Sequence, residues 1–296
     1  MGAKSIYTRI TSKTIVVLFV TLSLVLDGCR NARVPNPITS NQPTTLNRTD
    51  NLALGNPSEA ANNDPDNYLI SRPQYTLSYS RNRGIANWVS WHLSTAWKGN
   101  SQRTDAFRPD PLIPTGWYAA RTSDYTNSGF DRGHLCPSDD RDSTPEDNAA
   151  TFFLSNIVPQ APRHNREVWK SLEDYERQLM SNGNEVYIIA GTSGSGGTGQ
   201  NGPATSIANG KLTVPATLWK ILVVVPASSD ATFQINENTR VIAVNIPNNQ
   251  TAADKPWRAY LTSVDQLETL TGYDFLSNVS TIVQRVIEMR IDGGNS

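Results

Sequence analysis

Phe130-Asp131-Arg132-Gly133-His134-Leu135-Cys136-Pro137 sets a histidine beside an arginine, with an aspartate and a glycine shaping the local backbone. The chain contains 3 histidines, and His134 has the richest setting of them. A lone histidine is usually structural, but the preceding Asp-Arg-Gly turns the reading toward chemistry. Gly133 allows a close backbone approach or a turn. Arg132 is expected on the opposite face of an extended segment, where it meets a phosphate or braces the site. A neutral imidazole takes a proton from water near neutral pH, so His134 is a candidate general base.

A helix-like run from Asn165 to Asn182 follows, ended by Asn182-Gly183. Within it Asn165, Trp169, Glu173 and Arg177 recur every four residues, which places them on a slowly drifting stripe of one helix side. Along the axis Asn165 and Glu173 are about 12 Å apart, too far for both to hold one ion directly. One direct ligand, Asn165, with Glu173 acting through water fits better. That arrangement suits Mg²⁺, which keeps most of its waters. A solvated i,i+4 ion pair is the simpler account of Glu173 and Arg177, and on the residues alone it is preferred over a catalytic role.

The composition around these stretches is that of a globular protein, with 38% apolar and 18% charged residues. A length of 296 residues gives room for one large domain or two small ones. The formal net charge of −1 argues against a diffuse basic face for nucleic acid. Ten of the 12 basic residues between Arg81 and Arg177 are arginine, however. Arginine suits local, bidentate phosphate contacts. Of the two cysteines, Cys29 falls in the leader and Cys136 reads as a small buried residue, so the folded part is expected to hold no disulfide.

Residues 1–29 read as a signal peptide. Lys4, Arg9 and Lys13 precede the apolar run Thr14 to Leu26, which is too short to span a bilayer comfortably. Export to a secreted or periplasmic location is the expectation. Leu26-Asp27-Gly28-Cys29 resembles the bacterial lipoprotein processing box except at Asp27. Membrane attachment through a lipidated Cys29 therefore stands beside plain cleavage as an outcome. Residues 30–66 are rich in Asn, Pro, Thr and Ser and are expected to be a disordered tether.

The globular domain is assigned to residues 67–291. Tyr75–Tyr79 and Ala86–Leu93 alternate like half-buried strands, and Thr151–Val158 is short enough for a strand before Pro159. Glu185–Ala190, Trp219–Pro226 and Arg240–Ile246 read as buried strands, Val264–Thr271 and Val279–Glu288 as helices. Gly191–Gly202 lacks the Lys-Ser/Thr ending of a phosphate-cradling loop and reads as a flexible surface loop. The fold class is α+β: a central, mostly antiparallel sheet flanked by helices.

Asp131-Arg132-Gly133-His134, then Ser155-Asn156-Ile157-Val158-Pro159-Gln160, then Asn165 through Leu172-Glu173-Asp174-Tyr175 resemble the DNA/RNA non-specific endonuclease family of the ββα-metal superfamily. The likeness runs upstream through Gln102-Arg103 and Phe107-Arg108-Pro109-Asp110. Downstream it takes in Thr213-Val214-Pro215, Asn245-Ile246-Pro247 and Leu270-Thr271-Gly272-Tyr273-Asp274-Phe275. The resemblance implies a ββα-metal motif made of a strand through His134, a strand at Thr151–Ile157 and the helix from Asn165. It implies that His134 is the general base, that Asn165 is the direct ligand of Mg²⁺ or Mn²⁺, and that Glu173 holds a metal-bound water. Arg103, Arg132 and Arg177 would contact the scissile phosphate, and Asn156 would position the histidine or the metal shell.

The activity so implied is one-metal hydrolysis of DNA and RNA, single- or double-stranded, to 5′-phosphorylated products. DNA and RNA are the expected partners, and a specific inhibitor protein is a further partner to test for. The departures are Cys136, where relatives can carry Ala, and His164, read as a bystander beside the metal ligand. The main rival reading is a non-catalytic, exported nucleic-acid-binding lipoprotein, and another is a nuclease restricted to one nucleic acid or one context.

Overall fold

Val186, Ile188, Ala190, Leu218 and Leu222 pack into one hydrophobic core, while their neighbours Tyr187, Ile189, Trp219, Ile221 and Val223 pack into another. Successive side chains of a strand point to opposite faces, so these two strands separate two cores. The structure is a computed structural model that describes residues 43–293. The leader 1–29 and the first part of the expected tether, 30–42, lie outside the described residues.

In chain order the strands are β1 (Thr44–Asn47), β2 (Tyr68–Ser71), β3 (Thr76–Ser80), β4 (Ile85–Leu93), β5 (Asp131–His134), β6 (Ile157–Gln160) and β7 (Asn184–Ser193). Short strands β8 (Gly197–Gly199), β9 (Gly202–Ala204), β10 (Ser206–Ile207) and β11 (Leu212–Thr213) follow. The last are β12 (Thr217–Pro226), β13 (Thr232–Ile235), β14 (Arg240–Pro247) and β15 (Leu261–Thr262). The α-helices are α1 (Pro145–Ala150), α2 (Lys170–Ser181), α3 (Val264–Thr271) and α4 (Thr281–Ile287). Seven strands form one antiparallel sheet in the order β15-β14-β12-β7-β4-β3-β2. The α+β class and the antiparallel sheet match the expectation.

On one face of the sheet α2 packs through Leu172, Leu179 and Met180, beside Leu135 and Val158 of the β5–β6 region. On the other lie the β1–β13 ribbon, Ala53, Leu54 and Ala60, α3, and α4 through Val283 and Ile287. Both faces are covered, which is why β7, β12 and β14 read as nearly continuous apolar runs.

The same double cover corrects two expectations at once. Strands β3 and β4 are buried throughout rather than half-buried. Residues 44–66, expected as tether, are folded against them. Polar positions of the strands are met by polar positions of that segment: Asn87 Nδ2 donates to Asp66 O at 2.8 Å, Ser90 Oγ to Asn51 O at 2.6 Å, and Trp88 Nε1 to Ser58 Oγ at 2.7 Å. A composition too polar to form its own core is ordered by hydrogen bonds to a neighbouring sheet.

Three further boundaries move. The strand expected at Thr151–Val158 is β6, Ile157–Gln160, preceded by a 3₁₀ turn at Leu154–Asn156. Pro159 lies inside it because this is a two-stranded ribbon, where a residue without an N–H is tolerated. Gly191–Gly202 is not a free loop: Gly191 sits within β7, and Gly197–Ala204 forms the β8–β9 hairpin. A Cβ on Gly191 would lie 2.3 Å from Trp219 Cζ2, so the glycine admits the tryptophan. Helix α4 starts at Thr281 behind Ser280, whose side chain accepts from Val283 N.

Candidate active site

Strands β5 and β6 pair antiparallel, with Arg132 opposite Pro159 and His134 opposite Ile157. Two residues apart on one strand, Arg132 and His134 share a face and line one pocket of ≈ 250 Å³. The expectation of Arg132 on the opposite face is thereby corrected. Gly133 between them is required by packing: a Cβ there would lie 1.9 Å from Gln160 Oε1. Gln160 in turn meets His164 Nδ1 at 2.6 Å through its amide nitrogen. His164 is fully buried and faces no solvent, so it lies out of substrate reach.

The turn that carries Asn165 is not α-helical. His164–Trp169 winds as a π-helix and passes into α2 at Lys170. The wider turn holds an extra residue. Asn165 therefore joins Arg166, Lys170, Glu173 and Arg177 along the pocket. Trp169, expected on the same stripe, turns into the core and is buried. Asp131, at the start of β5, holds the turn in place. Asn165 Nδ2 donates to Asp131 Oδ2 at 2.9 Å, and Arg166 clamps both oxygens of that carboxylate at 2.7 and 2.6 Å. With its amide nitrogen committed, Asn165 presents the lone pairs of Oδ1 to the pocket.

His134 is buried, and its Nε2 has no hydrogen-bond partner in the protein. Burial, then the charges of Arg103 and Arg132, hold its pKa down to about 3. The ring is therefore neutral near pH 7, as a proton acceptor must be. Two phenyl rings enclose it, Phe107 at 5.5 Å and Phe152 at 4.9 Å between centroids. Each ring also carries an arginine on its face: Arg132 lies 4.4 Å from the Phe107 centroid and Arg103 lies 4.9 Å from that of Phe152. Arg103 is further fixed by Ser138 Oγ at 2.6 Å and Asp105 Oδ1 at 2.8 Å.

Glu173 and Arg177 face the same pocket from α2. They are not each other's ion pair, which corrects the solvated-pair reading: Arg177 bonds Asp140 Oδ1 at 3.1 Å and Asp174 Oδ1 at 2.7 Å. Burial pushes the Glu173 carboxyl up to about 7, while Lys220 and Arg177 pull it back down. Lys220, on β12, is fully buried beneath α2, donating to Glu176 Oε1 at 2.9 Å with its ammonium 4.4 Å from the Trp169 centroid.

Asn156 lies outside the pocket. It is fully buried and staples the segment after His134: its Oδ1 accepts from Cys136 N at 2.9 Å, and its Nδ2 donates to Cys136 O and Thr151 O at 2.8 Å each. All three of these side-chain hydrogen bonds go to backbone, two of them two residues beyond His134. Cys136 is buried, and burial raises its thiol pKa well above the usual range, so it is inert. Sequence reasoning passed over Phe107, Phe152, Ser138, Asp131, Arg166, Lys170 and Lys220. Phe107 and Asp131 stood inside quoted motifs, but only contact with the ring or the amide reveals their part.

Arg103, Arg132, Arg166, Lys170 and Arg177 line the pocket with Asp139 and Glu173, and four of these cations are held in place by Asp105, Asp131, Asp140 and Asp174. Guanidinium groups so fixed offer an anion directed contacts at one point. Asn165 and Glu173 offer hard oxygen donors, which fit a hydrated divalent ion better than a soft metal.

A neutral imidazole among clustered guanidinium groups and oxygen donors is the equipment of a hydrolase acting on nucleic acids. The sequence model of the DNA/RNA non-specific endonuclease family matches residues 55–282, and the chain belongs to that family of metal-dependent nucleases. A nuclease from Nostoc sp. is 48% identical over 275 residues, covering 92% of this chain and 96% of that protein. Human mitochondrial endonuclease G is 31% identical over 218 residues, 71% of this chain and 70% of that one. A solved structure described as the EndoG/EndoGI complex, showing the mechanism of EndoG inhibition, shares the fold: TM-score 0.63, 24% identity, 77% of this chain and 90% of that chain covered.

Proposed function

We propose that the protein cleaves phosphodiester bonds within both DNA and RNA, single- or double-stranded, leaving 5′-phosphorylated products. The observation that carries this reading is one pocket shared by His134, with its unpartnered Nε2, and by Asn165 and Glu173. Arg103 and Arg132, held on their phenyl rings, bind the scissile phosphate and stabilise the charge that builds on it. Arg177, fixed by Asp140, supports the same charge from α2. His134 accepts a proton from water at Nε2. A phosphate that pairs with Arg103 and Arg132 removes part of the repulsion that lowers the imidazole's basicity, so substrate itself raises the base toward its working range.

Asn165 Oδ1 would hold Mg²⁺ or Mn²⁺ directly and Glu173 would hold one of its waters. The ion, when bound, supplies charge neutralisation at the phosphate and at the leaving oxygen. Phosphate contacts carry no base information, which supports cleavage without regard to sequence or sugar. We further propose export through the leader 1–29, either secreted or anchored at a lipidated Cys29. A dedicated inhibitor protein is a proposed partner, on the analogy of the inhibited relative.

The test is a plasmid and total RNA incubated with Mg²⁺ and then with EDTA. Both polymers are cut to ends that a ligase joins without a kinase, and EDTA stops both reactions. Loss of only one polymer would overturn the claim of sugar indifference, and products that need phosphorylation would overturn the stated bond scission.

A further inference from the structure

Away from the catalytic pocket, Asp265 and Glu268 of α3 and Glu288 at the end of α4 offer carboxylate oxygens that all lie within 4.8 Å of one another. Glu288 is the unusual member. It is 7% exposed, and its Oε1 is buried without a hydrogen-bond partner. A buried, unpaired carboxylate is costly unless something compensates it. Its position compounds the cost, since a helix C-terminus carries partial negative charge.

Among the described residues no basic side chain relieves the group. The charges that act on Glu288 are those of Glu268, Asp265 and Asp274, all negative. Burial first, and then these neighbours, push its carboxyl up to about 9. One Glu268 oxygen is already used, accepting from Phe275 N at 2.8 Å, while the Asp265 backbone N–H donates to Glu288 O at 3.2 Å. The backbone thus locks α3 and the last turn of α4 together with their carboxylates converging.

We propose that Asp265, Glu268 and Glu288 form a calcium site that ties the end of α4 to α3. Two oxygens on one calcium ion lie at most about 5 Å apart, given Ca–O distances of about 2.3–2.6 Å, and the cluster meets that limit. An all-carboxylate set is hard, which excludes copper and thiophilic metals. Three converging direct donors favour calcium over magnesium, which retains most of its water. The exposed side of Asp265 leaves the remaining coordination positions to water.

The test uses the full chain and calcium chloride alone. Calorimetric titration of Asn165→Ala, which disables the catalytic metal position, is expected to show one calcium bound per chain. Millimolar calcium is expected to raise the melting temperature of the wild type and of Asn165→Ala alike, as any ligand of the folded state does. Glu288→Gln should abolish that rise. Asp265→Asn, at an exposed position that cannot threaten folding, should weaken calcium binding at least tenfold. A rise that persists in Glu288→Gln or an unchanged affinity in Asp265→Asn would overturn the proposal. So would the absence of bound calcium in Asn165→Ala, the cluster then holding a proton instead. None of these readouts depends on nuclease activity, so the two proposals fail separately.

Discussion

The two faces of the central sheet are built from alternate residues of the same strands, yet they hold charge differently. On the back face the buried carboxylate of Glu185 is met by Arg48 and by His92 Nε2 at 2.9 Å, Glu288 lies at the end of α4 beside Asp265 and Glu268, and the packing between is aromatic and aliphatic. On the site face Lys220 occupies the position between Leu218 and Leu222, and Asp140, Glu176, Glu173 and Arg177 gather around it. Beyond that network the charges turn outward, with Arg103 and Arg132 seated on phenyl rings above a neutral histidine. The back face pairs Glu185 with Arg48 and His92 and leaves Glu288 among other carboxylates. The other turns guanidinium groups toward the pocket for an anion to meet, and that asymmetry separates scaffold from site.

The largest test of the contrast is His134→Ala. Cleavage of plasmid DNA should fall by about 10²–10⁴-fold, the range for loss of a general base, with the melting temperature nearly unchanged. A variant that cuts at the wild-type rate would remove His134 as the base.

Lys220→Met probes whether the site face depends on its buried cation. Leaving Glu176 buried and unpaired should cost about 3–5 kcal/mol in urea unfolding. Lys220→Met with Glu176→Leu should recover most of that stability, because the pair is then replaced rather than broken. If the double variant also regains full activity, the buried pair serves folding alone. If it is stable yet slow, the pair positions α2 against the pocket.

A smaller effect is expected at Asp131, whose carboxylate orients the Asn165 amide. Asp131→Ala should raise the Mg²⁺ needed for half-maximal rate by about 10–100-fold, the usual scale for a group that orients a metal ligand. An unchanged requirement would show that Asn165 needs no such support.

The last test is a pH dependence on the back face. Glu288 has a folded-state pKa of about 9, above the value of about 4.3 for an unfolded glutamate. A raised carboxyl pKa means the folded state holds the proton more tightly, so its stabilisation is full below the unfolded value and is lost as pH rises toward 9. In EDTA, stability should therefore decline from about pH 5 to 9, and Glu288→Gln should flatten the decline. A slope unchanged by the substitution would assign it to other groups.

Much of this was legible beforehand. His134, Asn165, Glu173, Arg103, Arg132 and Arg177 were all named from motifs, and they do line one pocket. Helix α3 and the strands β7, β12 and β14 follow from apolar runs and punctuation that act locally. Where reading failed, a distant partner had decided the matter. Asn156 was expected to position the histidine or the metal shell, and what its side chain holds is backbone, at Cys136 and Thr151. Residues 44–66 looked disordered because their carbonyls are met by side chains of β4 that no local rule weighs.

What the sequence alone determined is the set of reacting groups and the order of the elements, since residue identity and short-range spacing are written along the chain. What only the tertiary structure decided is where each group faces. The π turn rotates Asn165 toward the pocket and Trp169 into the core, and the alternation of β12 puts Lys220 under α2. Orientation is set by packing against residues far along the chain, and one added residue in a turn redirects every side chain after it.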